Sequence, residues 1–165
     1  MRLAYEKVPE SGAAELSAFA LPIWKEVFDP MMEAGAPETD YLFSHWQSPE
    51  RIAKDIRDGL AYYYVIIDGR RAGYCAVRLE GEKIFLSKVY LAHEFRGQGH
   101  GSEMLQDMFE YGKSKGCRLA YLHVNVNNAK GIAAYERNGM RPAYRLICSE
   151  GEGYSTNDYV MEKEL

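Results

Sequence analysis

Residues 96–102, Arg-Gly-Gln-Gly-His-Gly-Ser, lie between the apolar run KIFLSKVYL (83–91) and the amphipathic stretch SEMLQDMFEYGKSKG (102–116). A strand that gives way to a glycine-rich turn and then a helix leaves the chain few options. The helix returns along the sheet, and the next apolar run, CRLAYLHVNV, lies parallel to the first, in a βαβ crossover from Leu91 to Leu119. Glycines at such a turn let main-chain N–H groups approach an anion closely, and the helix dipole adds positive potential at the same place. Two phosphate-binding patterns are excluded by spacing. A Walker loop requires Lys and then Ser or Thr after its last glycine, whereas Gly101 is followed by Ser102 and Glu103. A dinucleotide fingerprint requires its third glycine three positions after the second and an acid at the end of the next strand, and neither is present. A tight bend without a ligand remains an equal reading of the turn alone.

The rest of the chain supplies the sheet. LAYYYVIID, RAGYCAVRLE and KIFLSKVYL are β-branched and aromatic, with Asp68-Gly69 and Gly81 as turns between them, so three strands form a meander in which Tyr62, Tyr63 and Tyr64 face alternate sides. Residues 2–8 alternate as a short strand. After Ser11, AAELSAFALPIWKEVF predicts a helix that Pro22 ends or bends near Leu21. Asp29 to Gln47 reads as a loop followed by a short helix carrying Tyr41, Phe43 and Trp46. Ser48, Pro49 and Glu50 give an N-cap, a proline at the first helical position and an early acid, for a helix to about Asp58 stopped by Gly59. Beyond CRLAYLHVNV, NNAKGIAAYERNG predicts a helix closed by Gly139, and MRPAYRLIC and DYVMEKEL predict two strands around a loop from Ser149 to Ser155. The sum is an α+β fold in one domain over residues 1–165, with about seven strands in a mixed, mostly antiparallel sheet and about four helices.

Composition narrows the function. The 165 residues, 47% hydrophobic and 27% charged, suffice for a core without staples. A net charge of −4 is a poor footprint for nucleic acid. Cys75, Cys117 and Cys148 are odd in number and free of CxxC spacing, so neither a disulfide framework nor a metal site is expected, and a reducing, cytoplasmic setting fits. No secretory h-region and no apolar window near the roughly 18 residues of a spanning helix is present, so no membrane partner is expected.

VYLAHEFRGQGHGSEML resembles the signature of the GNAT superfamily of acyl-CoA-dependent N-acetyltransferases, whose pattern is Arg or Gln, two residues, Gly, one residue, then Gly or Ala. Arg96, Gly99 and Gly101 fill it. LHVNVNNAKGIAAYERNGM resembles the second motif of that family through Asn128, Ala129, Tyr135, Gly139 and Met140. The resemblance runs from about Leu60 to Leu165 and is looser before that. His93 stands where the family often has proline. What the resemblance implies is a GNAT-like sheet with splayed middle strands and acetyl-CoA as the cofactor. Its pyrophosphate would rest on the main chain of Arg96, Gly97, Gln98, Gly99, His100, Gly101 and Ser102. Its pantetheine arm would pair with Val89, Tyr90 and Leu91, with the amide of Leu91 polarising the acyl carbonyl. Asn128 would add a hydrogen bond to the cofactor or serve simply as an N-cap.

Attack by an amine on a thioester must expel a thiolate, and by motif position Tyr135 would protonate that sulfur, core packing being its bland alternative. The acceptor arrives as an ammonium and must lose a proton. Ile84, Phe85 and Leu86 leave no carboxylate on one strand where family members carry their base, and His123 occupies the other such position. An imidazole with an unperturbed pKa of about 6.5 could take the proton, with ordered water as the rival route and a satisfied core histidine as the bland reading. Glu26, Asp40, Tyr41 and Trp46 could line an acceptor pocket for a cation. The three cysteines lie outside both motifs, which favours direct transfer in a ternary complex. The expected acceptor is a primary amine, whether a polyamine, another small amine or a peptide N-terminus. The final NDYVMEKEL resembles small-amine members more than peptide-directed ones. A homodimer is compatible with the sequence. The alternative from another class is a non-catalytic acyl-CoA sensor or interaction domain on the same fold.

Overall fold

Apolar spacing and turn chemistry place most of the elements seen in the computed structural model, which describes residues 3–165. The strands are β1 (Ala4–Lys7), β2 (Ala61–Ile67), β3 (Arg70–Glu80), β4 (Lys83–Leu91), β5 (Leu119–Asn125), β6 (Arg141–Gly151) and β7 (Tyr154–Glu164). The helices are α1 (Ala13–Phe28), α2 (Ala36–Trp46), α3 (Pro49–Arg57), α4 (His100–Ser114) and α5 (Ala129–Arg137). The strands form one sheet in the order β1-β2-β3-β4-β5-β7-β6. Arg2, at the start of the expected first strand, lies outside the described residues.

The chain divides into two compact units, which share β3 and β4. The first comprises the residues up to Ala76 together with Lys88–His100. Its core is built from Leu16, Ile23, Trp24 and Phe28 of α1, Leu42 and Phe43 of α2, Ile52 of α3, and Tyr62, Tyr64 and Tyr74 of the sheet. Tyr63 is half-buried between the buried Tyr62 and Tyr64, as alternation requires. Pro22 neither ends nor divides α1, contrary to expectation: the helix continues to Phe28. Pro22 and Ala18, the residue whose carbonyl loses its helical donor, both face solvent. The penalty of about 3 kcal/mol for an interior proline is offset by burial on the opposite face, where Leu16, Trp24 and Phe28 each contribute about 1.5–3 kcal/mol. Ser48 caps α3 as expected, accepting from the Arg51 N–H at 3.2 Å.

The second unit comprises Val77–Ser87 and Gly101–Leu165. β4 and β5 are parallel with α4 between them in sequence, which is the expected crossover. Met104, Leu105, Met108 and Phe109 of α4 are buried, and Gly112 lets the helix lie against Ile84. An added Cβ at Gly112 would stand 2.8 Å from the Ile84 side chain. The expected loop from Ser149 to Ser155 is instead the end of a hairpin: β6 runs to Gly151 and β7 starts at Tyr154. Glu152 (φ 51°) and Gly153 (φ 80°) form a two-residue turn with both φ positive, matching the type I′ turns that suit strand twist. Asp68 (φ 50°) and Gly69 (φ 74°) do the same between β2 and β3.

Candidate active site

The parallel β4–β5 ladder is short. It pairs Lys83 with Leu119, Ile84 with Ala120 and Phe85 with Tyr121, and then stops. β5 lies along one side of β4, and Val89, Tyr90 and Leu91 close that strand. On its other side β4 is held closely by β3 at Gly73. An added Cβ there would fall 2.2 Å from the Tyr90 carbonyl oxygen, and the Ala92 N–H donates to the Ala72 carbonyl at 2.8 Å. The Tyr90 ring packs in the first unit's core against Tyr74 (centroids 5.4 Å) and Phe28 (6.1 Å), so only its backbone is at issue. Gly73 was not signalled by the sequence, where it reads as an ordinary strand glycine.

After β4, a 3₁₀ turn (His93–Phe95) intervenes before the glycines, and α4 begins at His100 rather than at Gly97. Gly97 (φ 73°) and Gly99 (φ 85°) adopt the left-handed conformation that side chains disfavour. Among the described residues the N–H groups of Gly97, Gln98 and Gly99 make no hydrogen bond. The first N–H groups of α4 lack intrahelical acceptors as at any helix start. Gly97, Gly99 and Gly101 each look onto open space, with nothing within 4 Å of an added Cβ. The turn is therefore a row of uncommitted donors with room above them.

Arg96 braces this turn. Its Nε donates to the Leu91 carbonyl at 2.9 Å and its Nη1 to Glu26 at 3.3 Å, while His93 Nδ1 meets the same carboxylate at 3.0 Å. Its Nη2 is a buried donor without an acceptor among the described residues. Gln98 Nε2 donates to the Glu94 carbonyl at 3.0 Å. Glu26 is thus engaged in holding the turn, and Asp40 is paired with Lys25. Tyr41 stacks on His45 and Trp46 lies edge-on to Trp24. The four residues suggested for an acceptor pocket are engaged in these contacts.

The remaining site residues belong to the second unit. The Ser102 hydroxyl accepts from Asn138 Nδ2 at 3.0 Å, and the same amide donates to the Ala134 carbonyl at 2.8 Å and accepts from Gln106 at 3.1 Å. Asn138 therefore joins the start of α4 to the end of α5. Sequence reasoning passed over it, although its place just before the closing Gly139 was a signal. Asn128 caps α5, its Oδ1 accepting from the Gly131 N–H at 2.9 Å. Gly131 is needed for that cap, because an added Cβ would collide with the Asn128 side chain at 2.6–2.9 Å. Tyr135, on the same helix, is half-buried, and burial pushes its phenol up to about 12, so it stays protonated through the neutral range.

His123 is exposed rather than buried in the core. Its ring lies 5.3 Å from Phe85 and 6.2 Å from Tyr121, and Phe85 stacks on Tyr121 at 4.9 Å and 22°. Arg78 covers Phe85 at 5.3 Å and pairs with Glu80, which also accepts from the Tyr121 hydroxyl. Burial and that carboxylate push Tyr121 up to about 12. Burial opposes the Glu80 charge, but the hydrogen bonds from Tyr121 and Arg78 prevail and hold its carboxyl below the ordinary range. Asp158 on β7 was also missed. It stands opposite Asn125, and burial, followed by the like charge of Glu150, raises its carboxyl to about 6.

Cys75 and Cys117 are buried and Cys148 half-buried, all free. No helix among the described residues is long and apolar enough to cross a membrane.

Comparison with known proteins bears on the family and the fold. Residues 22–140 match the sequence model of the acetyltransferase (GNAT) family. A Bacillus subtilis (strain 168) protein named "Putative ribosomal protein bS18-alanine N-acetyltransferase" is 28% identical over 106 residues, 64% of this chain and 70% of that protein. The thialysine N-epsilon-acetyltransferase of Sus scrofa is 34% identical over 74 residues, 45% of this chain and 41% of that protein, so the chain spans less than half of that relative. The PaiA N-acetyltransferase of Thermoplasma acidophilum, solved in complex with coenzyme A, shares the fold with a TM-score of 0.79 at 19% identity, covering all of both chains. With the family match extending over well more than half of its length, the chain belongs to the acetyltransferase (GNAT) family.

Proposed function

We propose that this protein, acting as a single functional domain over residues 1–165, transfers an acetyl group from acetyl-CoA to a primary amine by direct attack in a ternary complex. The observation that carries the reading is the glycine turn. Gly97, Gln98 and Gly99 hold uncommitted N–H donors, the space over Gly97, Gly99 and Gly101 is open, and Arg96 Nη2 is a buried donor lacking an acceptor. Such a set of donors at a helix start suits a diphosphate. Arg96, Gly97, Gln98, Gly99, His100, Gly101 and Ser102 would hold the diphosphate of acetyl-CoA by their main chain, and the Arg96 side chain keeps the turn in place. Val89, Tyr90 and Leu91 would pair with its pantetheine arm as an added strand. Asn128, whose Oδ1 already caps α5, has its amide nitrogen available to the cofactor.

When bound, acetyl-CoA supplies an activated acetyl group. Tyr135 holds a proton at its phenol oxygen and is the acid for the departing sulfur. The Leu91 N–H polarises the acyl oxygen. His123 takes the proton that the acceptor must lose, with an ordered water as the other route. The acceptor is a small amine, a polyamine or a peptide N-terminus. The B. subtilis relative points to a peptide N-terminus by its name and the porcine one to a side-chain amine.

Incubating the protein with acetyl-CoA and a panel of primary amines, and following free thiol, tests this reading. Amine-dependent thiol release is expected. Tight coenzyme A binding with a silent panel would indicate an acyl-CoA sensor instead. In the same assay His123→Ala is expected to shift the pH dependence, and an unshifted profile would assign that proton to water.

A further inference from the structure

Asp158 holds a place in the second unit that the mechanism above does not use. It lies on β7, paired across to Asn125 of β5 on one side and to Leu146 of β6 on the other. Directly opposed residues share a face of the sheet, so Asp158 faces the same side as Asn125, His123 and Tyr121 of β5 and, through the Phe85–Tyr121 pair, Phe85 of β4. His123 opposes Val160 and is therefore the diagonal neighbour of Asp158. Diagonal positions stand about 7–8 Å apart on the backbone, a span that Asp and His side chains leaning toward one shared nitrogen can close to hydrogen-bond reach.

No hydrogen bond or ion pair engages the Asp158 carboxylate among the described residues. The titratable groups on its face are Tyr121 and His123 on β5, Tyr154, Glu162 and Glu164 along β7, and Arg141, Tyr144, Cys148 and Glu150 on β6, with Arg78 and Glu80 against the Phe85–Tyr121 pair; no lysine or arginine occupies an opposite or diagonal position. Glu150 accepts from Thr156 at 3.0 Å and repels rather than neutralises Asp158. A half-buried carboxylate beside a like charge lacks the cation that would suit it. The same face carries His123, exposed, one row from Asp158, and the stacked Phe85–Tyr121 pair, with Arg78 over Phe85, one row beyond it. A carboxylate that lacks a cation, with an imidazole at the diagonal position, favours an ammonium over a neutral amine.

We propose that Asp158 receives the ammonium group of the acceptor and seats it against His123, making the protein selective for amines that arrive charged. The proposal rests on the acetyltransferase reading for what happens to that amine afterwards. Asp158 is a positioning residue, and its substitution should appear in KM rather than in kcat. Burial leaves the carboxyl ionised above about pH 6, so the anchor is present at neutral pH and fades below it.

The test compares n-butylamine, a cation at pH 7.5, with methoxyamine, which is uncharged there. For Asp158→Asn the ratio of kcat/KM for n-butylamine over methoxyamine should fall about tenfold or more through KM, and Asp158→Glu should restore part of it. An equal loss with both amines, or a loss confined to kcat, overturns the anchor. An NMR titration with n-butylammonium reads the anchor independently of turnover. Wild type should bind at pH 7.5 about tenfold more tightly than Asp158→Asn, and equal binding overturns the proposal. Binding that passes this test in a protein that releases no thiol would overturn the acetyltransferase reading and leave the anchor standing.

Discussion

Replacing Asp158 by Asn should make the protein more stable at neutral pH, and the size of the gain follows from its surroundings. Burial and the Glu150 charge raise this carboxyl from 3.8 to about 6. That difference corresponds to about 3 kcal/mol between the two protonation states. Because Asp158 retains some exposure, solvent screening brings the expected figure to about 2 kcal/mol. The folded chain holds this proton more tightly than the unfolded chain does. The contribution of the group is therefore fully present below about pH 4, is lost as pH rises through about 6, and is level above that. Asparagine is never charged, so wild type and Asp158→Asn should converge near pH 4 and separate by about 2 kcal/mol at pH 7.5. For a chain of this size that separation is about 4–8 °C in Tm. Urea unfolding of both proteins between pH 4 and pH 8 reads the difference directly. A constant offset across that range, or a less stable variant at pH 7.5, would refute the assignment of a penalised charge to this position.

Three further outcomes are expected. Tyr135→Phe removes the phenolic proton and should lower kcat about 10²–10⁴-fold with coenzyme A affinity unchanged in a binding titration; unchanged turnover would remove Tyr135 from the chemistry. Gly101 has no positive φ and open space above it, so Gly101→Ala should weaken coenzyme A about tenfold or more by filling that space, while thermal unfolding shows Tm unchanged or raised, alanine being about 1 kcal/mol the better helix former. Gly73→Ala drives a methyl into the Tyr90 carbonyl and should destabilise the fold by at least about 2 kcal/mol in urea unfolding, with coenzyme A binding lost alongside.

Local chemistry made much of this legible. Ser48, Pro49 and Glu50 mark the start of α3 because each satisfies a need of a helix N-terminus, and the Ser48 cap is formed. The Asp68-Gly69 turn is set by two residues that tolerate positive φ. Arg96 to Ser102 stand at the junction of strand and helix because glycine spacing is a backbone property, readable without the rest of the fold. What escaped depends on partners distant in sequence. Pro22 reads as a helix end, and only the aromatic face packed opposite it keeps α1 whole. The glycines at 151 and 153 suggest a loop, but pairing of β6 with β7 turns them into a tight hairpin. Gly73 gains its meaning from the Tyr90 carbonyl, Asn138 from Ser102, and Asp158 from β5 and β6. Periodicity along one strand holds none of that information.

The amide of Asn138 has a consequence for how the enzyme handles its cycle. It clasps Ser102 at the mouth of α4 and Ala134, next to Tyr135, on α5. A shift at Ser102 is thus passed to the turn of α5 that carries Tyr135 through two hydrogen bonds and no intervening loop. Under the proposed function, a substitution at position 138 should therefore weaken coenzyme A binding and turnover together.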